Sequence, residues 1–417
     1  MNIQRMNVNL IPNNKRVLLR PFNPVNKSQS MRIFKRIVEL SEEQVDNELN
    51  DIIVEFGARH KNMNDFFSMR FDQISKYLNL NYDMSKKKKL LIGAYFSMEY
   101  SVESAALFNP SLVWHPDQKN LPQGARRFIM SLRATGEGHI SSIVFRTGSI
   151  DKKLQIQMDG PGRFIDRPIS FRVDANEEYT IKFDEKSELA ERILFPASLA
   201  EKNGTEDARF LLFTDENGSQ KYYATYTAFD GMSIRSQMIE TPDFTKFHIR
   251  KLAGAEIQNK GMALFPRKVN GRYAMLSRQD NENNYIMFSD DLYTWNSKQF
   301  LLAPEYGWEF IQIGNCGSPI ETDAGWLVLS HGVGAMRKYS ISAFLLDIDN
   351  PARVIGTLEK PLIYPNEQER EGYVPNVVYS CGGIVYENTL ILPYAMSDYA
   401  STIAIVNLEE LLNELIS

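Results

Sequence analysis

The chain has 417 residues, of which 43% are hydrophobic and 24% charged, with a formal net charge of -5. This balance is ordinary for a globular protein and gives no electrostatic reason to expect a nucleic acid partner. Two cysteines, Cys316 and Cys381, are too few for a disulfide framework, and no apolar run reaches membrane-spanning length.

The polar start, Met1-Asn2-Ile3-Gln4-Arg5, does not read as a secretory leader. With the cysteine count it makes a reducing cytoplasmic location the expectation. Residues 1–25 read as extended, with Pro12, Pro21 and Pro24 interrupting short apolar clusters. From Ser28 to about Ala106 the period becomes helical. Ile33, Ile37, Val45, Leu49 and Ile52 fall at helical spacings, and so do Phe66, Phe67, Phe71, Ile74 and Leu78. Ser41 followed by Gln44 is a capping-box signature, and Gly57 and Asn62 read as breaks. Ser85 opens a further helix expected to run to about Ser101. Its four lysines, Lys86–Lys89, read as a solvated face rather than an anion site. Residues 1–106 are thus expected to form an extended segment plus a module of three or four helices.

Residues 107–417 read as β-rich. One hairpin pattern recurs five times, in Asn109–Arg133, Ala208–Thr227, Gly261–Arg278, Ser318–His331 and Asn376–Asp398. Gly218, Gly271 and Gly325 mark three of the turns at a spacing of about 53 residues, near the period of propeller blades. Thr241–Phe247 and Ser289–Trp295 read as outer turns, in which an Asp satisfies turn amides and an aromatic packs between blades. Residues 407–416 form an amphipathic helix. The expected fold is mainly β, a five-bladed β-propeller with an N-terminal α-helical extension and a short C-terminal helix.

A hairpin brings the start of its first strand and the end of its second to one edge. Five blades would therefore gather Asn109 with Arg133, Asp207 with Asp230, Lys260 with Arg278, Asn315 with His331, and Asn376 with Asp398. Such a mouth suits a sugar or an anion. The five histidines are scattered, which gives no metal site, and neither a nucleotide-type glycine loop nor a nucleophile elbow is present. Asp207 precedes an apolar strand whose flank would desolvate it and raise its pKa, the state a proton donor needs. Arg209, on the same face by strand alternation, would oppose that shift, while Glu206 would face away. A catalytic Asp207 and a plain Asp207–Arg209 ion pair both fit these residues. Lys260, Arg278 and His331, with Tyr339 close behind, would form an anion pocket. Arg133, Glu137 and His139, in a Gly-containing segment, are candidates to bind sugar hydroxyls.

Seven ordered motifs resemble glycoside hydrolase family 130, the mannoside phosphorylases and related mannosidases. They are Phe108-Asn-Pro-Ser111, Ser131-Leu-Arg-Ala-Thr-Gly-Glu-Gly-His139, Thr205-Glu-Asp-Ala-Arg209, Leu264-Phe-Pro-Arg-Lys-Val-Asn-Gly-Arg-Tyr273, Gly314-Asn-Cys-Gly-Ser-Pro-Ile320, His331-Gly-Val-Gly334 and Glu371-Gly-Tyr-Val-Pro-Asn-Val-Val378. The resemblance covers about 109–406 and implies a five-bladed propeller. It implies Asp207 as general acid, Asn109, Arg133 and Asp398 as holders of a mannosyl unit, and Lys260, Arg278, His331 and Tyr339 as the phosphate site. The remaining substrate-binding candidates are Glu137, His139, Arg209, Asp230, Asn315 and Asn376. The motif variants look like the branch that transfers mannosyl units from β-1,2-mannooligosaccharides to phosphate. No cofactor is implied beyond inorganic phosphate as co-substrate. One departure is Gln312, where many phosphorylases carry Lys. It keeps open a β-1,2-mannosidase in which Glu371 or Glu137 activates water; a non-catalytic glycan-binding propeller is the third reading. A homo-oligomer formed through the N-terminal helices is also an open expectation.

Overall fold

The computed structural model describes residues 2–175 and 178–417. Two compact units emerge. One comprises Asn13–Ser104 with Gly162–Asp166; the other comprises the first twelve residues, Ala105–Pro161 and Arg167–Ser417.

The first unit holds four α-helices, α1 (Lys27–Val38), α2 (Glu42–Phe56), α3 (Met63–Leu78) and α4 (Lys86–Tyr95). Local chemistry sets their ends. The Asn26 and Ser85 side chains accept from Gln29 and Lys88 amides, and Ser41 with Gln44 forms the reciprocal capping box. α2 ends at Gly57, and α3 is flanked by Asn62 and Asn79, both left-handed. The apolar stripes meet in one core that includes Phe34, Val45, Phe67, Ile74 and Leu91. Gly93 permits the approach of α4 to α3, since a Cβ there would lie 1.9 Å from the Phe67 carbonyl oxygen. Two of the four lysines are bonded inside this unit: Lys87 pairs with Asp46, and Lys88 donates to the Val38 and Leu40 carbonyls.

α4 stops at Tyr95, short of the expected Ser101. Ser97–Ser101 is instead a strand, antiparallel to Val17–Pro21. Its residues alternate in the strand period, and the pairing strand supplies the hydrogen bonds that a longer helix would have used. A buried ion pair between Arg16 and Glu103 (2.8 Å) closes the end of this ribbon.

The second unit is mainly β, and its described residues form five antiparallel runs of strands. The first is Ala106–Trp114, Arg126–Thr135, Ser141–Ile150 and Ile156–Met158. The second is Gly204–Thr214, Gln220–Phe229, Ile234–Thr241 and Lys246–Lys251, widened by Tyr179–Lys182 and Ser170–Val173. A single parallel bridge, Gly204 to Ser141, joins these two runs. The third contains Ala263–Leu264, Tyr273–Ser277, Asn284–Ser289 and Lys298–Leu302. The fourth contains Gln312–Asn315, Gly325–Val333, Tyr339–Leu346 and Val354–Thr357. The fifth contains Val378–Tyr379, Thr389–Met396 and Ala400–Asn407, and its outer strand is Ile3–Arg5 from the start of the chain. The final helix, α5, is Leu408–Ile416.

The outer turns behave as their sequences predict. Asp243 accepts from the Thr245 amide and Asp291 from the Tyr293 amide, while Phe247 and Trp295 are buried. Two inner strands break their register, between Phe108 and Ser111 and between Glu206 and Arg209. Each break carries a left-handed residue, Asn109 (φ 51°) and Asp207 (φ 53°). Asn and Asp tolerate this conformation better than other non-glycine residues, and a bulge of this kind re-aims the side chain it holds.

Candidate active site

The two bulges bring Asn109 and Asp207 together. The Asn109 amide donates to Asp207 Oδ1 at 2.7 Å, and Arg133 Nη1 approaches the same oxygen at 3.5 Å. Arg133 is held in turn by Glu206 (2.7 Å) and the Ser141 hydroxyl (2.9 Å), and its guanidinium lies over the Phe108 ring. Glu206 therefore does not face away as strict alternation would place it, because the bulge that follows turns two residues against one. Glu206 and Ser141 are absent from the sequence-derived site.

Arg209 also departs from expectation. It is 2% exposed, and its side-chain donors go to groups other than the Asp207 carboxylate. It donates to the Cys316 carbonyl (2.7 Å), the Asp207 main-chain carbonyl (2.9 Å) and the Tyr379 hydroxyl (3.0 Å). The bulge again explains this, since it uncouples Arg209 from the face that Asp207 occupies.

The cationic side of the site forms where the third, fourth and fifth runs meet. Arg278 Nη1 lies 3.4 Å from His331 Nε2, and both residues are buried. The His331 ring stacks on Tyr339 at 6.0 Å and tilts against Tyr379 at 4.8 Å. Asn376 donates no described bond to a site group. Its main-chain carbonyl accepts from the Tyr339 amide, and its Oδ1 accepts from Arg370. Asn315 is buried and donates to the Gly261 carbonyl, next to Lys260. Arg278 Nε, His331 Nδ1, Asn109 Oδ1 and Asn315 Oδ1 are all buried without a hydrogen-bond partner. Buried polar atoms left in this way are rare in proteins, and a cluster of them marks a place where a polar ligand completes the bonding.

The electrostatics tie these groups together. Burial pushes the Asp207 carboxyl up, but Arg133, Lys260 and Arg209, with the Asn109 amide, outweigh it and bring it down to about 2. This reverses the expected upward shift: flanking cations win over the apolar flank. Burial lowers the His331 imidazole well below its ordinary value, aided by Arg278, Arg209 and Lys260, so the ring is neutral. Burial, with the neighbouring Asp207 charge, pushes Asp398 up to about 6 against the pull of Arg133, Arg337 and Lys260. Of two carboxyls in one electrostatic neighbourhood, Asp207 holds the charge and Asp398 the more basic position.

Other expected residues have surroundings of their own. Asp230 lies at the same hairpin edge as Asp207, but its carboxylate caps its own turn, accepting from the Met232 and Ser233 amides and the Ser233 hydroxyl. Glu137 and His139 occupy an exposed turn, with the His139 ring 5.7 Å from Tyr373. Glu371 is exposed, and Gln312 opens the fourth run opposite Val333. Among the described residues no cluster of three or more His, Cys, Asp or Glu side chains could hold a metal ion, and no helix is long and apolar enough to cross a membrane.

Comparison with known proteins assigns this scaffold. Residues 166–416, more than half of the chain, match the profile of glycoside hydrolase family 130, described as β-1,4-mannooligosaccharide phosphorylase. A 1,2-β-oligomannan phosphorylase of Thermoanaerobacter is 37% identical over 155 residues, 37% of this chain and 52% of the relative. A β-1,2-mannobiose phosphorylase of Listeria innocua is 28% identical over 229 residues, 53% of this chain and 63% of the relative. The matched stretch thus spans between half and two thirds of the length of these curated relatives. A solved structure of β-1,2-mannobiose phosphorylase from Listeria innocua, in complex with β-1,2-mannobiose, superposes with a TM-score of 0.56 at 20% identity, covering 76% of this chain and 93% of that one. At that identity the likeness speaks to fold alone. The profile match carries the assignment: the chain belongs to glycoside hydrolase family 130.

Proposed function

We propose that this protein is an inverting phosphorylase that cleaves β-1,2-linked mannooligosaccharides to α-mannose 1-phosphate and a shortened acceptor sugar. In this reading the five strand runs are the blades of a β-propeller, and their inner edges form the site. The observation that carries it is that the Asp207 carboxyl shares its electrostatic surroundings with Lys260 and His331, where Arg278 Nε and His331 Nδ1 are buried without a partner. Arg278, His331 and Tyr339, with Lys260 as a further charge, make the phosphate socket. Asn109, Arg133, Asn315 and Asp398 take the mannosyl unit, and Asn376 acts by holding Tyr339. No cofactor is needed, since phosphate is itself an anionic nucleophile.

Asp207 is ionised at neutral pH in this structure, so it must take up a proton before it can give one. A phosphate anion seated on Arg278 and Lys260 offsets the cations that hold Asp207 down, which raises its proton affinity when the co-substrate is present. Asp207 then donates to the glycosidic oxygen, directly or through a sugar hydroxyl. A phosphate oxygen bonds to the anomeric carbon from the opposite face as the carbon–oxygen bond to the acceptor breaks. The acceptor departs as a neutral alcohol, and Asp207 returns to its carboxylate. A hydrolase on this scaffold would need a second carboxylate about 6.5–9.5 Å from the acid to activate water; the candidates, Glu137 and Glu371, sit on exposed segments.

The β-1,2 linkage is supported by the motif variants and by the named activities of two relatives, against the β-1,4 description of the family profile. Incubation with phosphate and either β-1,2- or β-1,4-mannobiose tests it. Faster release of mannose 1-phosphate from the β-1,2 isomer is expected, and preference for the β-1,4 isomer would overturn the linkage while leaving phosphorolysis intact. The reading places the enzyme in the cytoplasm, consistent with two free cysteines. It also assigns the helical unit to a homo-oligomer contact, supported by exposed Val54, Tyr77 and Tyr82 on that unit; light scattering that gives a monomer mass would remove that assignment.

A further inference from the structure

Arg209 is among the largest fully buried side chains of the protein, yet it bonds no carboxylate and no side chain proposed to meet substrate. Its three nitrogens are each used. Nη1 donates to the Asp207 carbonyl at 2.9 Å, Nε to the Cys316 carbonyl at 2.7 Å, and Nη2 to the Tyr379 hydroxyl at 3.0 Å. These acceptors belong to the second, fourth and fifth runs, so one guanidinium links the inner ends of three sheets. A planar fork with donors in fixed directions suits this task, and an ammonium does not.

Each link bears on a different part of the site. At the register break, Asp207 and Ala208 lie opposite Tyr226 alone, and Asp207 is held at φ 53°. A strained backbone of this kind persists only where its surroundings over-determine it; the bond from Arg209 to the Asp207 carbonyl is such a constraint. At the other end, the Tyr379 ring lies 4.8 Å from the His331 ring, which is stacked on Tyr339 on another side. A ring anchored through its hydroxyl limits how far the imidazole can turn. Cys316 directly follows Asn315, whose Oδ1 is one of the unsatisfied buried atoms.

We propose that Arg209 and Tyr379 form a brace that positions the two halves of the site relative to each other, fixing the strained backbone of Asp207 and the orientation of the His331 ring. Both are positioning residues. They act through Asp207 and His331, and this role rests on the phosphorylase reading only for the identity of the reaction they support. Displacing a reacting group by about 1 Å can cost about a hundredfold in rate, so a brace of this kind is felt in turnover before it is felt in folding.

The experiment compares Tyr379→Phe, Arg209→Lys and Arg209→Met with the wild type, using β-1,2-mannobiose and phosphate. Tyr379→Phe keeps the ring and loses only the hydroxyl. It is expected to lower kcat about tenfold or more and to raise the phosphate KM, with the mannobiose KM within about threefold; the urea midpoint should fall modestly, because a buried Arg209 donor loses its acceptor. Arg209→Lys keeps the charge and loses the fork, and is expected to stay as impaired as Arg209→Met. Wild-type turnover by Tyr379→Phe, or full rescue by Arg209→Lys, overturns the brace. A crystal structure of Arg209→Lys reads the same claim without reference to turnover. Asp207 leaving its positive φ, or the Tyr379 ring swinging off His331, is expected; both in place overturns the proposal. If the wild type itself cleaves no mannoside, the phosphorylase reading fails, and the crystallographic arm still decides the brace.

Discussion

Replacing Asp207 with asparagine tests the electrostatics of the site apart from its chemistry. The Asp207 carboxyl drops from 3.8 to about 2 on folding. At roughly 1.4 kcal/mol per pH unit, that gap corresponds to about 2.5 kcal/mol of stability contributed by the charged form. The sign follows from the direction of the shift. A depressed carboxyl stabilises the fold above its unfolded value, and that contribution is lost as pH falls through the folded value. Asp207→Asn should therefore unfold more easily than wild type at pH 7, by about 2 kcal/mol, with the deficit shrinking as pH falls from about 4 towards about 2. Urea is the right denaturant, since an ionic one would screen the interaction under test. Tryptophan fluorescence is the right probe, because Trp114, Trp295, Trp308 and Trp326 all lie in the β unit. Equal or greater stability of Asp207→Asn at pH 7, or a deficit that does not vary with pH, would refute the account of Arg133, Lys260 and Arg209 as the groups that hold this carboxyl down. The same variant should lose about 100- to 10,000-fold in kcat, the usual contribution of a general acid.

Further outcomes follow from the same geometry. Arg278→Met removes a charge-assisted bond worth about 1.5–3 kcal/mol, so the phosphate KM should rise about 10- to 100-fold while the mannoside KM changes little; steady-state kinetics with each substrate varied in turn separates the two. Asp398 is raised from 3.8 to about 6, so its ionisation above that pH costs stability. Asp398→Asn should accordingly be more stable than wild type at pH 8 by about 1–3 kcal/mol and no more stable at pH 3.5, with weaker sugar binding throughout; a loss of stability at pH 8 would contradict the shift. Ser41→Ala removes one half of the capping box at α2 and should cost about 1 kcal/mol, seen as faster hydrogen exchange over Glu42–Phe56.

The parts of this protein written in local chemistry were legible in its sequence. Asn270-Gly271 and Asn217-Gly218 turn where their residue types demand, Ser41 and Gln44 start α2, and Phe247 and Trp295 are buried at the ends of their Asp-capped turns. Hairpin edges placed Asn109, Asp207, Arg278 and His331 on strands whose ends meet. Two of the errors share one origin. Strand alternation fixes which face a side chain takes only while the register holds, and nothing in Thr205-Glu-Asp-Ala-Arg209 announces the bulge that breaks it. Glu206 and Arg209 were therefore assigned to the wrong faces. Asp230 shows a second limit: a carboxylate that caps its own turn has the same local sequence signature as one aimed at a ligand. The Asp207 shift was misjudged because its sign depends on cations brought in from distant strands, Lys260 among them. Ser97–Ser101 reads as the tail of a helix until the strand Val17–Pro21, some eighty residues earlier, is there to pair with it. The hairpin edges alone offered Asp207 as a possible proton donor and Lys260, Arg278 and His331 as an anion pocket; the family resemblance is what named them general acid and phosphate site.

The most direct measurement follows β-1,2-mannobiose by proton and phosphorus NMR, with and without inorganic phosphate. An acid facing a cationic socket for the nucleophile predicts α-mannose 1-phosphate as the first-formed product, appearing only when phosphate is supplied, with mannose as the co-product. Mannose released at the same rate in phosphate-free buffer, or a β-configured sugar phosphate, would contradict it.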